Sequence, residues 1–315
     1  MTRSSPDRRP VRYVCMPGSP YTGSTLLGFL LNEHPDCVSI GAATGLTRRV
    51  DLASYRCSCG EPFRDCEFWN RISTRTRELG HPVNVFETNF WNTHLRVSSN
   101  RYLNALVVRS LGWAPLNDAR DAVVDALPPV KRAISDTGWN TWSLAAAVLE
   151  DTGKSVFVDT ARDHQRPKYL AKHPLLDVRV IHLVRDARGN STSIMKHTGV
   201  DLATAARQWR HYNLEAARMK NFVAPGAWMS LHYEDLCADP RAVLDRIFDF
   251  IGVDSATPQG LGEFGHHIIG NSMRLNGLGE IREDRAWEGI LGKAELDQMA
   301  RIVGPASHSL GFDWP

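Results

Sequence analysis

Two short segments of the sequence carry groups that could bind phosphate. The first is PGSPYTGSTLL, in which four residues separate Gly18 from Gly23. That spacing matches the mononucleotide-binding loop G-x-x-x-x-G-K-[ST], except that Ser24 occupies the lysine position. A glycine-rich turn before a helix still offers unpaired N–H groups and the positive end of the helix dipole, and the Ser24 and Thr25 hydroxyls add donors. These groups suffice for one phosphate, whereas a nucleoside triphosphate also needs the lysine.

The second segment is HLVRDARGNSTS, in which Arg185 follows an apolar run and Ser193 stands eight residues further on. The apolar run predicts a strand, and the helix expected after it would return the Ser193 hydroxyl over the strand end. An arginine and a hydroxyl that converge there could bind a second phosphate. The alternative is that Arg185 forms an ordinary surface ion pair with Asp186 or Glu234.

Both segments directly follow predicted strands. Short apolar runs predict strands over 11–16, 37–41, 155–159, 178–184 and 227–233, and helical spacing follows most of them. Open sheets of this kind bind ligands at the carboxyl ends of their strands. The sequence therefore predicts an α/β protein with three α/β/α layers and a mostly parallel central sheet.

A long insertion separates the second strand from the third. Residues 51–80 are polar and irregular, and residues 86–150 are predicted to be helical apart from a break near Pro129. We expect the insertion 51–150 to form the acceptor pocket over the sheet edge. The tail from Gly260 is predicted to form loops and short helices.

The charge balance narrows the possible partners. The formal net charge is +2, which does not favour nucleic acid as a partner. No apolar run reaches the length of a membrane span, and the apolar segment of a signal peptide does not follow the basic residues 1–10. We therefore expect a cytoplasmic protein with one domain over 1–315 and a flexible tail at 1–10, and a homodimer stays open. Because the first lysine is Lys131, an anion site in the first third must use arginine, backbone N–H groups or hydroxyls.

Together the two segments resemble the sulfotransferases that use 3′-phosphoadenosine-5′-phosphosulfate (PAPS), including bacterial members with a P-loop-like fold. The resemblance spans residues 11 to about 290 and comprises YTGST, RDARGNSTS, HYEDLCADP, GNSMR, VFVDTAR and CSCGEPFRDCEFW. It implies transfer of a sulfuryl group from PAPS to a hydroxyl or amine of a small-molecule or carbohydrate acceptor, without a required metal.

The resemblance also implies roles for individual residues. The 5′-phosphate would contact the first loop, through Thr22, Gly23, Ser24, Thr25 and Leu26. The 3′-phosphate would contact Arg185 and Ser193 together with Gly270, Asn271 and Arg274 of the GNSMR segment. Tyr233 would contact adenine. The catalytic candidates are Arg162, Ser24 and Asp159.

Two departures from the family pattern concern catalysis. Tyr21 stands where the first loop usually has a basic residue, so another cation must meet the charge that builds on the 5′-phosphate. Arg162 is the first candidate, followed by Arg166 and Lys168. Ala42 stands where many bacterial relatives carry a glutamate, and the remaining candidates for the general base are Asp51, Glu61, Asp65, His94 and His164.

Two alternatives to a sulfotransferase stay open. A P-loop kinase acting on a small molecule would bind ATP with Mg²⁺, but the loop lacks its lysine. A nucleotide-binding homologue without turnover would bind 3′,5′-ADP and transfer no sulfate.

The insertion also contains a cluster of three cysteines. Cys57, Cys59 and Cys66 could bind Zn²⁺ with Cys37 or His81 as a fourth ligand, form a disulfide, or remain free thiols. His266 and His267 stand beside the GNSMR segment and are candidates for lining the nucleotide site.

Overall fold

The computed structural model describes residues 8–47, 50–108, 114–255, 265–266 and 281–313. Its centre is a sheet of five strands, β1 (Val11–Cys15), β2 (Cys37–Ser39), β3 (Val156–Asp159), β4 (Leu176–Val184) and β5 (Trp228–His232). The strands lie in the order β2-β3-β1-β4-β5, and every neighbouring pair is parallel. The predicted α/β class and parallel sheet are confirmed.

Helices cover both faces of the sheet because successive strand residues point to opposite sides. On one face Val14 packs in a cluster with α1 (Ser24–Asn32) and α10 (Pro240–Ile251). On the other face Tyr13 and Cys15 pack with α2 (Glu67–Glu78) and α5 (Pro128–Thr152).

The remaining helices complete the layers and the insertion. They are α3 (Arg101–Val108), α4 (Ala114–Val124), α6 (Arg166–Leu170), α7 (Ala187–Thr198), α8 (Leu202–Arg218), α9 (Tyr233–Ala238) and α11 (Lys293–Ser309). A third apolar cluster joins α7, α8 and α11 at the end of β4.

Several elements differ from the sequence prediction. The segment predicted to be irregular contains α2, and the tail predicted to hold only short helices contains the 17-residue α11. Conversely, residues 86–100 are not helical. Trp91 and Trp142 of the insertion are core residues.

The strand order fixes where a ligand can bind. From β1 the chain runs to β2 and then β3 on one side, while β4 lies on the other side. The loops after β1 and β4 therefore diverge around a crevice at the carboxyl ends of these two strands, the usual ligand position in such sheets.

Candidate active site

The loop after β1 adopts a conformation that leaves the start of α1 open. Gly18 has φ 146°, Tyr21 φ 64° and Gly23 φ 90°. No side chain caps α1 within the described part of the chain, and its first turn contains no acidic residue. The N–H groups of that turn thus remain available to an anion.

Asn190 of α7 holds this loop in place. Its Nδ2 donates to the Pro20 carbonyl over 2.7 Å, and its Oδ1 accepts from the Ser19 hydroxyl over 2.9 Å. Both Asn190 and Ser19 are fully buried. The sequence analysis missed Asn190, because nothing in the local sequence marks a neutral amide whose partners lie 170 residues away.

Three predicted site residues meet directly above the loop. A Cβ atom at Gly23 would lie 2.6 Å from Cδ2 of Tyr233, so the phenol ring packs against the bare glycine backbone. The Arg185 guanidinium lies 4.8 Å from the centre of that ring. Gly23, Tyr233 and Arg185 are thus neighbours, although more than 200 residues of chain separate the first from the second.

Arg185 and Ser193 also meet, as the spacing predicted. Arg185 Nη1 donates to Ser193 Oγ and to the Tyr21 carbonyl, each over 3.2 Å. The Arg185 side chain is 7% exposed and pairs with Asp284 at 3.4 Å, rather than with Asp186 or Glu234. The Ala286 N–H that donates to Asp284, together with the Arg185 guanidinium, lowers the pKa of that carboxyl.

A cavity of about 100 Å³ opens beside Arg185 and Ser193. Lys196 of α7 and Trp287 also line it. A cavity of this size has room for several water molecules, and therefore for a phosphate group. Lys196 is a further cation that the sequence analysis did not select.

The three candidate cations differ in their surroundings. Arg166 pairs with Asp159 at 2.6 Å, and Lys168 pairs with Asp121 at 2.8 Å and with Asp125 at 2.9 Å. Both of these side chains are buried.

Arg162 has no carboxylate partner among the described residues. Water reaches its side chain, yet the dense protein around it lowers its pKa, while the phenols of Tyr21 and Tyr212 oppose that shift. Arg162 is therefore a solvent-accessible charge near Tyr21, the residue that stands at the basic position of the family pattern.

Asp159 lies at the centre of a buried hydrogen-bond network. Its Oδ2 accepts from the Tyr13 hydroxyl and Arg166 Nε, each over 2.6 Å. Its Oδ1 accepts from the N–H groups of Ala43 at 2.8 Å and Ala161 at 2.9 Å. Both oxygens are therefore occupied, and the carboxylate joins the ends of β1 and β3 to the loop after β2.

His94 lies next to the loop in which Ala42 replaces the family glutamate. The preceding residue, Thr93, donates its hydroxyl to the Ala43 carbonyl over 2.5 Å. His94 Nδ1 lies 3.8 Å from Asp163 Oδ2. Burial lowers the pKa of His94, with Asp163 opposing that shift, so the imidazole is neutral at pH 7.

The other candidate bases are less well placed for proton transfer. Asp51, Glu61 and Asp65 are exposed on the polar segment before α2. His164 lies among aromatic rings, 5.8 Å from His211 and 5.9 Å from Tyr212 between ring centres.

A large cavity of the described chain lies in the insertion. It has a volume of about 550 Å³ and is lined entirely by residues between 84 and 140. His94 forms part of its wall, together with the rings of Phe90 and Trp91 and the amides of Asn84, Asn92 and Asn140.

Some predicted site residues lie outside the described residues. These are Gly270, Asn271 and Arg274 of the GNSMR segment, and His267. His266 is described, and it approaches the cysteine cluster, with its Nδ1 3.5 Å from Cys66 Sγ.

The sequence matches the model of the sulfotransferase family over residues 14–257. That match covers well over half of the chain, so the protein belongs to the sulfotransferase family and is a sulfotransferase. A search of curated proteins found no match.

Among solved sulfotransferase structures, one shares the fold with a TM-score above 0.5. The sulfotransferase domain of the olefin synthase of Synechococcus PCC 7002 aligns with a TM-score of 0.53 at 22% identity, covering 100% of both chains. The sulfotransferase domain from the curacin biosynthetic pathway aligns with a TM-score of 0.49 at 17% identity, over 98% of this chain and 100% of that one. Sulfotransferase STF9 from Mycobacterium avium aligns with a TM-score of 0.47 at 14% identity, over 97% of this chain and 78% of its own.

None of the helices in the described ranges is long and apolar enough to cross a lipid bilayer.

Proposed function

We propose that the protein transfers the sulfuryl group of PAPS to a hydroxyl or amine of a small-molecule or carbohydrate acceptor, and releases 3′,5′-ADP. In this in-line reaction the acceptor atom forms a bond to sulfur while the bond between sulfur and the bridging oxygen breaks. The observation that carries the proposal is the meeting of the loop before α1, Tyr233, Arg185 and Ser193 at one crevice.

The contacts favour a nucleotide with two separate phosphates. The N–H groups at the start of α1, with Thr22, Gly23, Ser24, Thr25 and Leu26, would hold the 5′-phosphate. Arg185 and Ser193, with Lys196 beside them, would hold the 3′-phosphate in the adjoining cavity. The Tyr233 ring between these two groups would contact adenine.

Arg162 would neutralise the charge that develops on the bridging oxygen. It is the one member of the three proposed cations without a carboxylate partner in the described ranges, and Tyr21 is close enough to raise its pKa. Asp159, an early catalytic candidate, would instead position the loop at Ala43, because both of its oxygens already accept hydrogen bonds. Ser24 would contribute its hydroxyl at the first turn of α1.

His94 would act as the general base, with its ring stacked on Phe90 at 4.5 Å between ring centres. It stands beside the loop that carries the glutamate in many relatives, it is neutral at pH 7, and it lines the large cavity. An acceptor hydroxyl bound in that cavity would lose its proton to His94 as the bond to sulfur forms. Amides and aromatic rings on the cavity wall suit a polyhydroxylated acceptor.

Ligand-induced thermal stabilisation tests the proposal. A ligand at 100 times its Kd stabilises the folded state by about 2.7 kcal/mol, which raises Tm by several degrees in a chain of this size. We expect this shift with 3′,5′-ADP and not with ATP plus Mg²⁺, and the reverse result would support a P-loop kinase. Sulfate transfer from radiolabelled PAPS to a panel of phenols, alcohols and sugars then separates an enzyme from a homologue without turnover.

A further inference from the structure

Four potential metal ligands from distant parts of the sequence converge outside the nucleotide crevice. They are the thiols of Cys57, Cys59 and Cys66 and the imidazole of His266, and their ligand atoms all lie within 4.8 Å of one another. We propose that these four side chains bind one Zn²⁺ ion in a structural site.

The distances between the ligand atoms match a tetrahedron around zinc. With Zn–S near 2.3 Å and Zn–N near 2.05 Å, tetrahedral geometry requires about 3.8 Å between sulfurs and about 3.5 Å between sulfur and nitrogen. Cys59 Sγ lies 3.8 Å from Cys66 Sγ. His266 Nδ1 lies 3.6 Å from Cys57 Sγ and 3.5 Å from Cys66 Sγ.

The same distances disfavour the other two states of the cysteines. A disulfide needs about 2.05 Å between sulfurs, far less than the 3.8 Å that separates Cys59 from Cys66. Free thiols packing a loop would need no imidazole nitrogen within 3.6 Å of two of them. Three thiolates and one imidazole form the ligand set that Zn²⁺ favours in closed, four-coordinate sites.

The surrounding backbone supports the geometry of the site. The N–H of Cys57 donates to the Glu61 carbonyl and the N–H of Gly60 donates to the Cys57 carbonyl, each over 3.0 Å, so a tight turn fixes the backbone at Cys57 and Cys59. The N–H of Cys66 donates to the Pro62 carbonyl over 3.1 Å. The Ser58 hydroxyl donates to the Gly265 carbonyl over 2.8 Å.

The His266 ring is oriented by a separate contact. It stacks on Phe68 with the ring centres 4.3 Å apart and the planes 6° from parallel.

The fourth ligand differs from both residues suggested by the sequence. Cys37 packs in the apolar cluster on the face of α1, and His81 stacks on Trp139 at 4.7 Å. Because His266 lies 209 residues beyond Cys57, the ion would join the insertion to the segment that precedes Gly270 in the sequence. Zinc would therefore fasten the chain next to a predicted nucleotide-binding segment without taking part in sulfuryl transfer.

Metal content and spectroscopy test the site. Wild-type protein purified without a His-tag and reduced is expected to contain one zinc per chain by mass spectrometry. Protein stripped of zinc and loaded with Co²⁺ is expected to show thiolate-to-cobalt charge-transfer bands and the intense visible bands of tetrahedral cobalt. This second measurement needs no variant, so it stands even if a substitution prevents folding.

Matched variants assign the ligands. His266→Ala and Cys66→Ser should lose zinc to a chelator at concentrations at least 100-fold lower than wild type, whereas His81→Ala and Cys237→Ser should retain it. The proposal is overturned if reduced wild-type protein takes up less than about a tenth of an equivalent of Zn²⁺. It is equally overturned if His266→Ala retains zinc as well as His81→Ala does, or if the native protein contains a Cys59–Cys66 disulfide.

Discussion

Replacing Arg185 by alanine should weaken binding of the 3′-phosphate selectively. The Arg185 side chain is 7% exposed, so its charge acts in a poorly solvated environment. A hydrogen bond to a charged group contributes about 1.5–3 kcal/mol, and removing Arg185 also leaves Asp284 facing the phosphate without its counter-ion. We expect a loss near 3 kcal/mol, which corresponds to an affinity for 3′,5′-ADP about 100-fold weaker.

Two ligands and one control variant make this prediction specific. Isothermal titration should show that Arg185→Ala weakens 3′,5′-ADP about 100-fold but 5′-AMP, which lacks the 3′-phosphate, less than about 3-fold. Arg179→Ala serves as the control, because Arg179 lies on the same strand, away from its carboxyl end, and pairs with Asp177. Equal weakening of both ligands in Arg185→Ala, or no weakening of either, would refute the assignment of Arg185 to the 3′-phosphate.

Four further substitutions test other residues of the site and the stability of the fold. Arg162→Ala should lower kcat about 100- to 1,000-fold with little change in 3′,5′-ADP affinity, and equal losses in both would contradict its role at the bridging oxygen. Gly23→Ala should weaken nucleotide binding at least tenfold, since its Cβ would lie 2.6 Å from the Tyr233 ring. Gly153→Ala is the control, because Gly153 also has a positive φ but a Cβ there would meet nothing within 4 Å. A denaturation assay of this control gives the stability cost of backbone strain alone. His94→Gln should lower kcat about 100-fold and remove the acidic limb of the pH profile of kcat/KM. That limb should lie below pH 6.5, because burial lowers the pKa of His94. An acidic limb that is unchanged in the variant would show that another residue is the base. Burial lowers the pKa of His182 to about 4, so below pH 6.5 the unfolded chain binds a proton that the folded chain does not bind until near pH 4. The free energy of unfolding should therefore fall by about 2 kcal/mol through His182 between pH 7 and pH 5. Urea denaturation at the two pH values should show this loss in the wild type and not in His182→Gln.

Residues with local partners or local patterns could be predicted from the sequence. The strands can be recognised as short apolar runs followed by turn residues. The helix that returns Ser193 to Arg185 can be recognised from the spacing of its own residues. The helix α2 was missed because its apolar face, Phe68, Trp69 and Ile72, is narrow within a mostly polar segment. The helix α11 was missed because Gly304 and Pro305 lie inside it.

Residues whose role depends on distant contacts could not be predicted. Arg166 and Lys168 are buried in α6, where a sequence pattern would predict apolar residues. Their burial depends on carboxylate partners from other elements, which the local sequence does not show. His266 carries no local signal for a partnership with three cysteines about 200 residues earlier. The sequence offers His94 and His164 equally as bases, and only the fold places His94 beside Ala43 and Asp163.

The position of Asn190 would let α7 couple the two proposed phosphate contacts. The same helix carries Ser193, which faces the proposed 3′-phosphate, and Asn190, which holds the loop of the proposed 5′-phosphate through Ser19 and Pro20. Both residues lie on the helix Ala187–Thr198, so a shift of this helix would move both side chains together. The two ends of the proposed nucleotide would therefore contact groups held by one helix, and their contributions to affinity should be cooperative rather than additive.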